Sequence, residues 1–147
     1  MSDLYDEDVV LWSERQAALL RRMAAGERVN DQVDWPNVVE EIESVGNEQV
    51  HAVESLLTQA FLHDLKAEAW PLSRAAPQWR ADARLYRRQA RRRYRPSMRQ
   101  RLDLAGLYAD ALAGLPESMD DMAPLPVPHL CPVTLAEVLA EVLAEAE

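Results

Sequence analysis

Three histidines and one cysteine are the side chains best suited to chemistry in this chain of 147 residues. Glu48 and His51 stand in a Glu-x-x-His spacing, which puts both on one face of a helix. Di-iron bundles combine two such motifs with glutamates from two further helices. Here the motif occurs once, so Glu48 and His51 are weak metal candidates and no metal is expected. His63 follows His51 by roughly 18 Å of helix at 1.5 Å per residue, too far to share an ion. It sits among Leu62, Asp64 and Leu65 and is read as a structural histidine ordered by a hydrogen bond. His129 and Cys131 are two apart, so an extended segment would point both the same way. No third group completes a nucleophilic constellation, and Cys131 is read as a buried structural thiol. The glycines, Gly26, Gly46, Gly106 and Gly114, are scattered, so there is no phosphate-cradling loop. No catalytic residue and no cofactor are expected.

The charge layout is more informative. Residues 74–101 hold eleven arginines and one acid, Asp82, for a net +10. The other five basic and twenty-four acidic residues leave −19, and the whole chain carries −9. Arg84, Arg87, Arg88, Arg91, Arg92 and Arg95 crowd one short segment and are the candidate partner-binding residues. Phosphates reward arginine density, which makes nucleic acid a candidate partner. Two facts favour protein instead. The chain is acidic overall, and the nearby aromatics, Trp79, Tyr86 and Tyr94, fall on an apolar line. Internal pairing with the acidic second helix, together with a protein partner, is the expected use of these arginines.

Helices must position most of these groups, because the apolar spacing is three-four almost throughout. The first is expected from Tyr5 to Ala25, with Gly26 as its stop. The second and longest begins at Asp34-Trp35-Pro36-Asn37, where Asp34 can cap, and runs to about Trp70. Its broad stripe implies more than one neighbour, and Gly46 implies a kink or a close approach. The third spans Gln78 to Tyr94, with Trp79, Ala83, Tyr86, Ala90 and Tyr94 as its core line. The fourth starts at Ser97 and ends near Gly114, with Met98, Leu102, Ala105, Tyr108 and Leu112 as its stripe. Five prolines lie between Leu115 and Pro132, a stretch read as a strap packed down through Leu125, Val127 and Leu130. Thr134 and Glu137 form a capping box for a short last helix, with Val138, Leu139 and Val142 apolar. The expected fold is therefore all-α, a bundle of about four helices in one domain over 1–147. Its core is about 4–114, its strap 115–132 and its C-terminal helix 133–146. Trp12, Trp35, Ile42, Leu56, Phe61, Trp79 and Tyr86 are expected to be mostly buried.

Several blocks resemble a bacterial family, the domain of unknown function 29 family. They are Leu4-Tyr5-Asp6-Glu7-Asp8-Val9-Val10-Leu11-Trp12 and Val33-Asp34-Trp35-Pro36-Asn37-Val38-Val39-Glu40-Glu41-Ile42-Glu43-Ser44-Val45-Gly46. Leu62-His63-Asp64-Leu65-Lys66, Gln78-Trp79-Arg80 and Cys131-Pro132-Val133-Thr134-Leu135 follow in order. The match runs over about residues 4–139. Pro36 after Trp35 and Asp64 after His63 depart from the family pattern. The resemblance implies a small helical bundle and brings no activity.

A lone cysteine excludes a disulfide within the chain and fits a reducing compartment. The first residues are acidic rather than basic-then-apolar, and no run of about 18 apolar residues occurs. A cytoplasmic protein with no membrane segment is expected. The leading function is a non-enzymatic protein-interaction module, self-association included. Nucleic-acid binding through the arginine helix ranks second, and a metal- or histidine-dependent enzyme third.

Overall fold

The computed structural model describes residues 3–144. Among them the chain is all-helical, and its only β pairing is an isolated bridge, Met119–Met122. Two compact units divide it, one up to Asn47 and one from Glu48.

The N-terminal unit holds α1 (Leu4–Glu7), α2 (Val9–Ala24), a turn of 3-10 helix (Asn30–Gln32) and the start of α3 (Trp35–Ala69). The single first helix expected from Tyr5 is broken at Asp8. There an extended backbone lets the carboxylate accept the Leu11 N–H at 3.0 Å, so Asp8 caps α2. Gly26 ends α2 as expected. At φ +97° it turns the chain so that its N–H and that of Glu27 reach back to the Met23 and Arg22 carbonyls.

Trp12 is the centre of this unit, buried with Val33 and Val38 and met edge-on by Tyr5 at 4.9 Å. Its indole N–H donates to Asp34 at 2.9 Å, and the Asn37 amide donates to the same carboxylate at 2.8 Å. These bonds, Asn37 first and Trp12 next, hold the Asp34 carboxyl below its usual range against a smaller opposing effect of burial. Tyr5 donates its hydroxyl to Glu41. That bond, followed by desolvation and the carboxylate's charge, pushes the phenol up to about 12.

Two expected core residues are not core. Trp35 is 42% exposed and Ile42 68%, and Val39 and Val45 are exposed beside them. The segments before α3 engage the flank that bears Asn37, Val38 and Glu41, through Asp3, Tyr5 and Trp12. The Trp35–Val39–Ile42–Val45 row lies next to that flank and is left open. Gly46 makes neither a break nor a close approach. The helix runs without interruption through it, and no neighbouring group of the described residues stands within 4 Å of where a Cβ would lie.

In the C-terminal unit α3 buries Val50, Val53, Leu57, Phe61 and Leu65. They meet Ala90 of α4 (Ala76–Arg93), Leu107, Tyr108 and Ala111 of α5 (Leu104–Ala113), and Val138 of α6 (Leu135–Ala144). The deepest residues of α4 are Ala76, Ala83 and Ala90, seven apart, while Trp79 and Tyr86 are only half-buried. Small side chains on that line let the backbone of α4 come close to its neighbours, of which α6 is one. A single helix from Ser97 does not form. Pro96–Arg101 is 3-10 helix, and Asp103 restarts the chain by accepting the Gly106 N–H at 3.1 Å.

The strap is tied down by polar bonds more than by alternation. The Leu125 N–H donates to Ala69, the Trp70 indole to Met122 and the Tyr108 hydroxyl to Pro128. Val127 packs on the core, but Leu125 and Leu130 are exposed, contrary to expectation. The capping box forms as expected, with the Thr134 hydroxyl accepting from the Glu137 N–H and donating to its carboxylate. Residues 145 and 146 of the expected last helix, and the side chain of Val142, lie outside what the structure describes.

Candidate functional site

Helix α4 starts without a side-chain cap, on a proline at its second position, and stops at Tyr94, just before Pro96. Its alanine line faces inward, so the arginines between are turned out along a row at steps of four and three. Arg84, Arg88, Arg91 and Arg92 are exposed. Among the described residues none of them pairs with a carboxylate within ion-pair distance.

The other two candidates are engaged. The Arg87 side chain is 12% exposed, and its Nη1 donates to the Asp64 carboxylate at 2.6 Å. A charged, directional bond of this kind fixes α4 against α3. Arg95 donates to the Arg92 and Tyr94 carbonyls, where a cation also suits the negative end of the helix. The expected pairing of this helix with the acids of α3 thus occurs at Arg87 and Asp64, among the described residues.

Sequence reasoning missed Leu85. It is 52% exposed and, at about 100° per residue, borders the Arg84–Arg88–Arg92 row on one side, so the arginine face has an apolar edge. Its place in the register, off the alanine line, is the signal that marks it. Trp79, Tyr86 and Tyr94 are half-buried, and Tyr94 lines a hollow together with Arg91 and Arg99.

The chemistry-bearing residues do not converge. His51 Nδ1 lies 3.2 Å from Glu54, not Glu48, and its side chain is exposed. No group of three or more His, Cys, Asp or Glu side chains fit to hold a metal occurs among the described residues. His63 donates from Nδ1 to the Gln59 carbonyl of its own helix, and its ring rests on Tyr86 at 5.1 Å. The half-buried Cys131 thiol donates to the Val133 carbonyl at 3.3 Å rather than turning to the exposed His129. Burial, aided by the charge of Glu68, pushes the Tyr108 phenol up, which suits its role as a donor to Pro128.

Two of the hollows in this unit border the turn into α4 and the Arg87–Asp64 pair. One of about 440 Å3 sits where α3 turns into α4, lined by Trp70, Pro71, Leu72, Met119 and Met122. The turn beside it carries Asp120 and Asp121 at positive φ, a conformation that aspartate tolerates better than most residues. The other, about 290 Å3, lies by Phe61, Asp64, Arg87 and Tyr108. Neither gathers a nucleophile with a base.

The family described as domain of unknown function DUF29 matches residues 4–143. The crystal structure of an alpha-helical protein of unknown function from Rhodospirillum rubrum is similar, with a TM-score of 0.67 and 24% identity. The likeness covers 96% of this chain and 92% of that one, and it shows a shared fold. No curated protein matches. No helix among the described residues is long and apolar enough to cross a membrane.

Proposed function

The chain belongs to the domain of unknown function DUF29 family, and from that premise we propose that it is a non-enzymatic interaction module whose α4 face takes an acidic protein. One observation carries this reading. Arg84, Arg88, Arg91 and Arg92 are turned outward beside an exposed Leu85, with no carboxylate of the described residues paired to them. Cations beside an exposed apolar side chain suit a protein surface, where the apolar contact gives affinity and the charges give orientation and rate. A nucleic-acid face would do better with fully exposed rings for bases to stack on, and those of α4 are half-buried. A chain of net charge −9 also repels a phosphate backbone at long range. The single cysteine supports a cytoplasmic setting.

The test compares two probes of similar charge, an acidic amphipathic helical peptide and a nonspecific duplex. The peptide should bind more tightly, and Arg88→Glu, Arg91→Glu and Arg92→Glu together should abolish its binding while the helical signal persists. Micromolar binding to the duplex at about 150 mM salt, lost in the triple variant, would overturn the reading in favour of nucleic acid. Its signature would be a log–log salt slope of about −0.9 per phosphate neutralised.

A further inference from the structure

We propose that the acidic partner is a second copy of this chain. The open row on α3 of one molecule, Trp35, Val39, Ile42 and Val45, receives the Arg84–Leu85–Arg88–Arg92 face of another molecule's α4. The inference rests on the reading of α4 given above and names its partner.

Both faces are incomplete in the same complementary way. The α3 row is apolar and exposed, at helical steps of four, three and three. The exposed Glu40 and Glu43 lie alongside it. The segment it belongs to, residues 1–47, holds eleven acids and four arginines, a net −7. The α4 segment, residues 74–101, is +10. Leu85 gives an apolar contact for Val39 and Ile42, and its flanking arginines are long enough to reach the glutamates. Gly46 leaves open space at the end of the row for a crossing helix.

Charge selects among the ways two copies could meet. Two α3 rows packed on each other would set glutamates against glutamates, and two α4 faces would set arginines against arginines. Row on face is the attractive combination. It is a heterologous contact, so a pair keeps one unused face of each kind, one on each molecule, and the assembly closes into a ring or grows as a chain.

Sedimentation velocity over a concentration series tests this. The wild type should associate at low ionic strength. It should dissociate toward about 1 M salt, where the Debye length falls to about 3 Å. Arg84→Glu, Arg88→Glu and Arg92→Glu together should leave a monomer, as should Glu40→Arg with Glu43→Arg. Mixed in equal amounts, the two variants should associate again, on the order of tenfold more tightly than either alone. Should either set of reversals lose its helical signal, Arg88→Gln and Ile42→Ser test the two faces more mildly, and each should weaken association.

A wild type that stays monomeric at low salt overturns the proposal. So does a mixture that stays monomeric, or a reversed variant that associates like the wild type. A monomeric wild type that still binds the acidic peptide through its arginines sinks this inference and leaves the functional reading standing. Loss of both sinks both.

Discussion

Helix α3 carries apolar residues at helical spacing in both of its halves and uses them differently. Past residue 50, Val53, Leu57, Ala60 and Leu65 are almost fully enclosed. Before it, Trp35, Val39, Ile42 and Val45 stand open, and only Val38 is buried. The residue types are alike in the two halves. What differs is supply. The C-terminal unit brings α4, α5, α6 and the strap to its core. In the N-terminal unit Trp12 and Val33 cover Val38 and leave the neighbouring row uncovered. Apolar periodicity thus marks a face that a helix can bury, and it does not say whether anything in the same chain covers it.

The largest expected effect separates the two halves directly. Leu57→Ala should destabilise the protein by about 2–5 kcal/mol, the usual range for emptying an enclosed leucine site. Ile42→Ala should change stability by no more than about 0.5 kcal/mol, as at an open surface position. Urea unfolding of both variants, followed by circular dichroism, checks the contrast. Similar losses in both would mean that the row on α3 is covered after all.

A middle-sized effect belongs to Asp34, which joins α2 to the start of α3. Asp34→Asn keeps an oxygen for the Trp12 indole and the Asn37 amide but removes its charge, and should destabilise by about 1 kcal/mol at neutral pH, the difference between a charged and a neutral acceptor. The Asp34 carboxyl is held low in the folded chain. Its contribution is therefore fully present above the unfolded value, about 3.9, and is lost as pH falls through the folded value. The gap in stability between wild type and Asp34→Asn should narrow with acid. A gap that stays constant from neutral pH to about pH 2 would contradict the assigned shift.

The smallest effect on stability is expected on α4. Arg88→Glu alone should move the melting temperature little, since exposed ion pairs contribute about 0–1 kcal/mol and this arginine has no carboxylate partner among the described residues. Arg87→Ala should do more, because it strips the part-buried Asp64 carboxylate of its cation. Thermal unfolding of the two single variants checks the order, and equal shifts would mean that α4 holds its arginines alike.

Much of the architecture was legible from spacing and turn chemistry alone. Gly26, the capping box of Thr134 and Glu137, and the long helix from Trp35 to Ala69 all follow from local rules. Local rules also mislead where two caps compete. Asp8 and Asp103 each started a new helix inside a stretch whose apolar period ran straight through, because a carboxylate that satisfies a free N–H outweighs continuity of a few residues.

The candidate site divides along the same line. That the arginines cluster, and that the chain as a whole is acidic, is composition, and the sequence alone determines it. So is the helical period that turns most of them outward. Which arginine is held and which is free was decided only by packing. Arg87 and Arg88 are neighbours of one type, yet one meets Asp64 across a helix interface and the other stands in the open. A helix turns about 100° per residue, so adjacent side chains face different surroundings. What those surroundings contain depends on residues far away in the chain, brought close only when the helices pack.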